Sequence, residues 1–112
     1  LMLDGCGKHR CVNVAEVESR VVAMGSAQLL VSTAEGALSA LVEDLVVTES
    51  LRGQGIGAAL LSALETWAGQ HGATRLQLLA VKQNRRALDF YRKYGWQHTQ
   101  LICLRKAGVM ED

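Results

Sequence analysis

The sequence predicts an α+β fold built on a mixed, mostly antiparallel sheet with two main helices. Three observations carry this. Three valine- and leucine-rich runs, Cys11–Val17, Val21 to about Thr33 and Leu38–Val47, follow one another with only short polar breaks, the pattern of an antiparallel meander. At Ile56 the apolar spacing changes to 4, 4 and 3 (Ile56, Leu60, Leu64, Trp67), which is one helical stripe. Beyond it a short apolar run and a second helical pattern alternate, giving the order β-β-β-α-β-α-β.

Residues 1–10 mix glycine, lysine and histidine without periodicity and read as a loop or a poor strand. Cys11–Val17 is the first clear strand. Glu18-Ser19-Arg20 supplies a turn, and the second strand follows with Gly25 as a bulge position. Thr33-Ala34-Glu35-Gly36 makes the next turn before the strand Leu38–Val47. The first helix opens at Ile56, with Gly57, Leu61 and Ala68 flanking its stripe and Gly69 and Gly72 as stop signals. Leu76–Val81 reads as a short buried strand, joined to Leu38–Val47 by a right-handed crossover and parallel to it. Asn84 is the N-cap of a second helix with Ala87, Phe90, Tyr91 and Tyr94 on one face. Gly95 ends that helix, and Trp96 to about Leu104 is a last strand.

The 112 residues suffice for one domain, 1–112, and 49% are apolar, enough for a core. Twelve Lys plus Arg against eleven Asp plus Glu leave +1, so no strong field favours nucleic acid or an anionic membrane. Apolar runs such as Ala58–Leu61 and Leu78–Val81 are far too short to cross a bilayer. Three cysteines, an odd number, and the absence of a leader pattern argue against a disulfide framework and for a reducing, cytoplasmic setting. Cys6, His9, Cys11 and Cys103 lack the paired spacing of a metal site, so no metal is expected.

The most informative stretch is Arg52-Gly53-Gln54-Gly55-Ile56-Gly57-Ala58. It lies between a strand end and a helix start. A helix N-terminus offers unpaired N–H groups and partial positive charge, and glycines let a bulky anion approach them. The stretch is therefore a phosphate cradle, with Arg52 adding a charge-assisted bond. Gly53, Gly55 and Ala58 also satisfy the dinucleotide fingerprint G-x-G-x-x-A. That reading requires an acidic residue at the end of the next strand, where this chain has Val81-Lys82-Gln83-Asn84. The G-K-[ST] tripeptide of a nucleoside-triphosphate loop is absent.

Arg52-Gly53-Gln54-Gly55-Ile56-Gly57 resembles the acetyl-CoA pyrophosphate loop of the GNAT superfamily of N-acyltransferases, Arg/Gln-x-x-Gly-x-Gly/Ala. Asn84 to Trp96 is similar to that family's N-x-x-A-x-x-F-Y-x-x-x-G-F, with Trp96 for the final Phe. The resemblance covers about 11–104. It implies acetyl-CoA as co-substrate and a parallel strand pair, ending at Val47 and Val81, that splays to admit pantetheine. It places Leu45, Val46 and Val47 along the pantetheine, Arg52, Gly53, Gln54, Gly55, Ile56, Gly57 and Ala58 around the pyrophosphate, and Asn84, Ala87 and Tyr91 beside the cofactor. The implied activity is acetyl transfer to a primary amine, on a small molecule or a protein, by direct attack.

That chemistry sets requirements. Deprotonating an amine of pKa near 10.4 costs about 4–5 kcal/mol at neutral pH, whereas releasing a thiolate of pKa near 8.5 costs about 2 kcal/mol. The developing oxyanion needs a donor, which the resemblance assigns to a backbone N–H near Val47. Tyr91 matches the family tyrosine that faces the thioester sulfur and is the candidate acid. Glu43 is the candidate base, through water; strand alternation would put its neighbour Asp44 on the opposite face. Arg85, Arg86, Arg92 and Lys93 outnumber Asp89 on the second helix, as CoA-phosphate partners or as a solvated face. Trp67 is a core anchor, Trp96 a packing aromatic, and His71 and His98 are surface or cap residues.

Family members usually carry a further strand and one or two helices before the segment matching Cys11–Val17, where this chain has ten residues. The expected fold lacks much of the usual N-terminal part: either it is a minimal version, or the N-terminus has been lost, or a second chain, as in a homodimer, supplies the missing wall. The alternative function is a non-catalytic acyl-CoA-binding module or a subunit of a larger assembly.

Overall fold

The computed structural model describes residues 2–32 and 37–108. The turn expected at 33–36 lies outside them. By internal contacts the chain divides into two compact units between Leu78 and Leu79.

The first unit holds one five-stranded sheet. Its strands are β1 (Met2–Asp4), β2 (Arg10–Val17), β3 (Arg20–Ser32), β4 (Ala37–Val47) and β5 (Ala73–Leu78), adjacent in sequence order. All neighbours are antiparallel except β4 and β5, which run parallel. A helix, α1 (Ile56–Gln70), makes the crossover between that pair, after a 3₁₀ turn at Glu49–Leu51.

Packing explains the sequence pattern. Helix α1 buries Leu60, Leu61, Leu64, Trp67 and Ala68. The sheet supplies mostly small buried residues: Cys11, Ala15, Ala23, Ala27, Ala40 and Val42. Large helix side chains thus fill the room left by small strand side chains, as close packing demands. Each fully buried leucine contributes about 1.5–3 kcal/mol. Trp67 is an anchor as expected: its indole Nε1–H donates to Gly7 O at 3.1 Å. His71 caps the helix end, with Nδ1 2.8 Å from Trp67 O.

Three boundaries differ from the sequence expectation. Residues 1–10 contain a real strand, β1, and a tight hairpin. Gly69 lies inside α1, and Gly72, at φ +91°, is the glycine that turns the chain. The strand after it therefore begins at Ala73 and ends at Leu78, three residues ahead of the expected Leu76–Val81. Its polar residues Thr74, Arg75 and Gln77 hid its start; Thr74 Oγ1 donates to Leu38 O across the ladder.

The cysteine count also misled. Cys6 and Cys11 face each other across the first hairpin and are joined as a disulfide, while Cys103 is free and exposed. Register, not parity of count, decides which thiols meet.

The second unit centres on α2 (Arg85–Lys93). Asn84 Oδ1 accepts from Ala87 N–H at 3.2 Å, the N-cap expected. The other end is a Schellman motif. Gly95, at φ +92°, donates its N–H to Arg92 O, and Trp96 N–H donates to Tyr91 O at 3.0 Å. Trp96 packs against the Tyr91 ring, with centroids 5.7 Å apart. The terminal aromatic of the second sequence block is thus the apolar contact that closes the motif.

The last strand expected at Trp96–Leu104 is not formed; no ladder involves these residues, among those described. Leu101 N–H turns back to Thr99 Oγ1 at 3.2 Å, a local bond that competes with extended pairing. Leu101, Ile102 and Leu104 are 75%, 81% and 86% exposed. The observed order is β-β-β-β-α-β-α.

Candidate active site

Inside the first unit, β4 runs on past the end of its parallel partner. The β4–β5 ladder runs from Leu38↔Ala73 to Val42↔Leu78 and stops. Beyond it, β4 continues from Glu43 to Val47 paired with β3 alone. Leu45, Val46 and Val47, the residues expected along the pantetheine, lie on this one-sided stretch.

A bulge shapes it. Met24 pairs with Val46 and Ser26 with Glu43, so Asp44 and Leu45 oppose Gly25 alone. Asp44 takes φ +56°, and Ser26 Oγ donates to Glu43 O at 3.2 Å. The extra residue shifts the alternation: Ala40 and Val42 are buried, then Leu45 and Val47 turn toward the core. Glu43 and Asp44 are consequently both exposed. The bulge interrupts the alternation from which opposite faces were expected for the two. Gly25 is where the irregularity sits, but the additional residue belongs to β4. A Cβ at Gly25 would meet Leu45 Cδ1 at 2.9 Å and Leu64 Cδ1 at 3.1 Å. Sequence patterning offered no signal for Ser26 or for this contact; only register reveals them.

The glycine loop follows directly. Gly53 and Gly55 sit at φ +81° and +85°, the left-handed region that favours glycine, and a Cβ at either would meet nothing within 4 Å. Gly55 is the N-cap of α1 and supplies no side-chain acceptor, and no acidic residue occupies the first turn. The N–H groups of Ile56, Gly57 and Ala58 therefore present an uncapped positive helix end. Arg52 Nε donates to Val47 O at 3.2 Å, which folds the loop back onto the end of β4. A guanidinium has five N–H donors, so this bond leaves others for an anion. Gln54 is exposed at the loop tip.

The remaining predicted residues belong to the second unit. Asn84 and Ala87 meet in the α2 cap. Tyr91 is half-buried within an aromatic group with Phe90, 5.3 Å between centroids, and Trp96. Burial raises its phenol above the ordinary value of 10.0. Arg92 is engaged by Asp89 at 3.2 Å and by His98 Nε2 at 3.1 Å, so it belongs to a local exposed network. Among the described residues no group of three or more His, Cys, Asp or Glu could hold a metal ion, and no helix is long and apolar enough to cross a membrane.

Comparison with known proteins gives the family and the fold. Residues 3–96 match the family described as the Acetyltransferase (GNAT) family. The thialysine N-epsilon-acetyltransferase of Bos taurus is 32% identical over 108 residues, covering 87% of this chain and 62% of that protein. An integron cassette protein from the mobile metagenome of V. cholerae has a TM-score of 0.81 at 26% identity, covering 90% of this chain and 63% of that one. An aminoglycoside acetyltransferase from an uncultured soil metagenomic sample shares the fold, with a TM-score of 0.79 at 24% identity over 93% of this chain and 68% of that one. The chain spans less than two thirds of the curated relatives it matches, at 22%, 62% and 38% of three of them.

Proposed function

The chain belongs to the GNAT acetyltransferase family, and from that premise we propose that it transfers an acetyl group from acetyl-CoA to a primary amine by direct attack. One observation carries the reading. A strand that outruns its parallel neighbour by the stretch Glu43–Val47 leads, through a 3₁₀ turn and the glycine loop, into a helix whose N-terminus is capped only by glycine. Such a strand offers main-chain groups to an extended amide chain, and such a helix end suits a pyrophosphate.

In this reading the N–H groups of Gly53 to Ala58, with Gln54 and Ile56 among them, hold the pyrophosphate, and Arg52 adds charge. Leu45, Val46 and Val47 bond the pantetheine amides through their backbone. A backbone N–H near Val47 stabilises the tetrahedral oxyanion. Asn84 and Ala87 contribute to cofactor binding by their place in the family motif. Tyr91 donates to the departing sulfur. Its raised pKa keeps the phenol protonated through the neutral range, so it is always loaded as a donor. Glu43, exposed beside the bulge, draws the amine proton through water. The acceptor is a primary amine; the bovine relative's name specifies an ε-amine, and amines are the nucleophiles this chemistry requires. The proposed setting is cytoplasmic.

The test has two stages. Titration with acetyl-CoA and CoA, beside NADH and ATP, reads binding. Amine-dependent release of free CoA thiol, measured across a panel of diamines, lysine analogues and aminoglycosides, reads transfer. Binding plus amine-dependent thiol release is the expected result. Binding without release for any amine would favour the non-catalytic acyl-CoA-binding module, and no binding of either CoA species would overturn both readings.

A further inference from the structure

The first hairpin keeps one register along its length. Met2 faces Ala15, Leu3 faces Val14 and Asp4 faces Asn13. Gly5 N–H then donates to Val12 O and Gly7 N–H to Arg10 O, both at 2.8 Å. Cys6 and Cys11 fall between these hydrogen-bonded pairs, at the position where antiparallel side chains approach most closely. Cys11 is fully buried and Cys6 half-buried. A third group stands with them. Asn13 Oδ1, on a buried residue, lies 3.5 Å from Cys6 Sγ and 3.6 Å from Cys11 Sγ. In the dithiol form each S–H has this oxygen as acceptor. Asn13 Oδ1 is thus the polar neighbour that both sulfurs share.

We propose that Cys6 and Cys11 are a redox modification site, a reversible dithiol–disulfide couple that exchanges with a low-molecular-weight anionic disulfide and staples the hairpin tip. The exposed Lys8 and Arg10 next to this pair supply positive charge that suits glutathione disulfide. In oxidation, the Cys6 thiolate attacks one sulfur of glutathione disulfide and expels one glutathione thiolate. The Cys11 thiolate then attacks Cys6 Sγ of the mixed disulfide and expels the second. Two protein thiols lose two electrons, glutathione disulfide gains them, and the two released thiolates take up the two protons. Reduction reverses the sequence, entering at the more accessible Cys6. The staple matters because the tip carries two anchors: Gly7 O accepts from the Trp67 indole, and His9 O accepts from Leu29 N–H at 2.9 Å. Closing the disulfide fixes the segment that presents both carbonyls. This holds whether or not the chain binds acetyl-CoA.

The experiment equilibrates the full chain in glutathione buffers from fully reduced to fully oxidised, traps thiols with an alkylating reagent and counts them by mass. The expected count is three free thiols at the reducing end and, at the oxidising end, a Cys6–Cys11 pair two hydrogens lighter with Cys103 free or carrying one glutathione. A Cys6–Cys11 cross-link should appear in the peptide map and disappear completely with dithiothreitol under native conditions. The unfolding midpoint should rise by about 5–10 °C on oxidation and stay constant in Cys6→Ser. Asn13→Ala, which removes the thiol acceptor, should move the titration midpoint a few-fold toward the disulfide. Three free thiols at every ratio, a cross-link through Cys103, or a disulfide that resists dithiothreitol in the folded chain would each overturn the proposal. An equal midpoint rise in Cys6→Ser, or an unmoved titration in Asn13→Ala, would do so as well. The wild-type thiol count decides alone if a variant fails to fold.

Discussion

Tyr91 combines a structural duty with a proposed chemical one, and the two separate by substitution. Its backbone carbonyl accepts from Trp96 N–H and its ring packs on Trp96, and both survive in Tyr91→Phe. That variant should keep its acetyl-CoA affinity within about twofold and lose roughly 10–100-fold in turnover, since thiolate release without a proton costs only about 2 kcal/mol. Steady-state rates beside calorimetric binding check this; wild-type turnover would remove the acid role. The pH dependence has a defined sign. Burial raises the phenol above 10.0, so its contribution to stability is complete below pH 10 and is lost as pH climbs through the higher folded value. Alkaline unfolding curves of wild type should carry that loss and those of Tyr91→Phe should not. Gly55 poses a different question. At φ +85° with open space around its Cβ direction, Gly55→Ala meets only backbone strain of roughly 1–2 kcal/mol. Acetyl-CoA affinity should fall by more than the stability does, tenfold or beyond, because the added methyl stands where a phosphate would approach the amides.

Among the elements, turns and the bulge set what can be changed. β2 and β3 are joined by Glu18 and Ser19, both at positive φ (+50° and +63°), where a two-residue hairpin prefers Asn-Gly. The double change Glu18→Asn, Ser19→Gly should stabilise the chain by about 1–2 kcal/mol, read as a midpoint several degrees higher. Gly25→Ala should do the reverse. Its new methyl would press on the ends of Leu45 and Leu64, an overpacking cost of about 1–3 kcal/mol, and urea unfolding with an unchanged slope would report it. The same elements show what sequence could tell. β2, β3, β4 and both helices were legible to within a residue or two, because valine-rich runs, the Ile56–Trp67 stripe, the Asn84 cap and Gly95 are local signals. The start of β5 was not, since Thr74, Arg75 and Gln77 look polar until their ladder with β4 is known. The last strand was over-read for the converse reason: Leu101, Ile102 and Leu104 are apolar, yet apolarity alone creates no ladder. The bulge and the Cys6–Cys11 pair depend on register between strands, which no single strand encodes.

For the whole molecule, the chain's two sequence blocks fall in different compact units, the glycine loop before Leu78 and the Asn84–Trp96 block after it. At about 100 times its dissociation constant, acetyl-CoA adds roughly 2.7 kcal/mol, and differential scanning calorimetry should register several degrees of shift with it and none with NADH. The candidate site was legible as far as composition of motifs allows. Arg52 and the glycines marked the loop before α1 as the candidate anion site, whereas the exposure of both Glu43 and Asp44 came only with the bulge. The unequal lengths of β4 and β5 have a further consequence for how this chain tolerates change. Where a strand is read through its amides and carbonyls, the identity of a side chain such as the 57%-exposed Val46 matters little, but the amide hydrogen itself is indispensable. Saturation mutagenesis across positions 45–47 would then trace an uneven fingerprint, with the exposed Val46 side chain permissive to most replacements and Val47, whose amide the register turns away from β3, closed to proline, the one residue that arrives without that hydrogen.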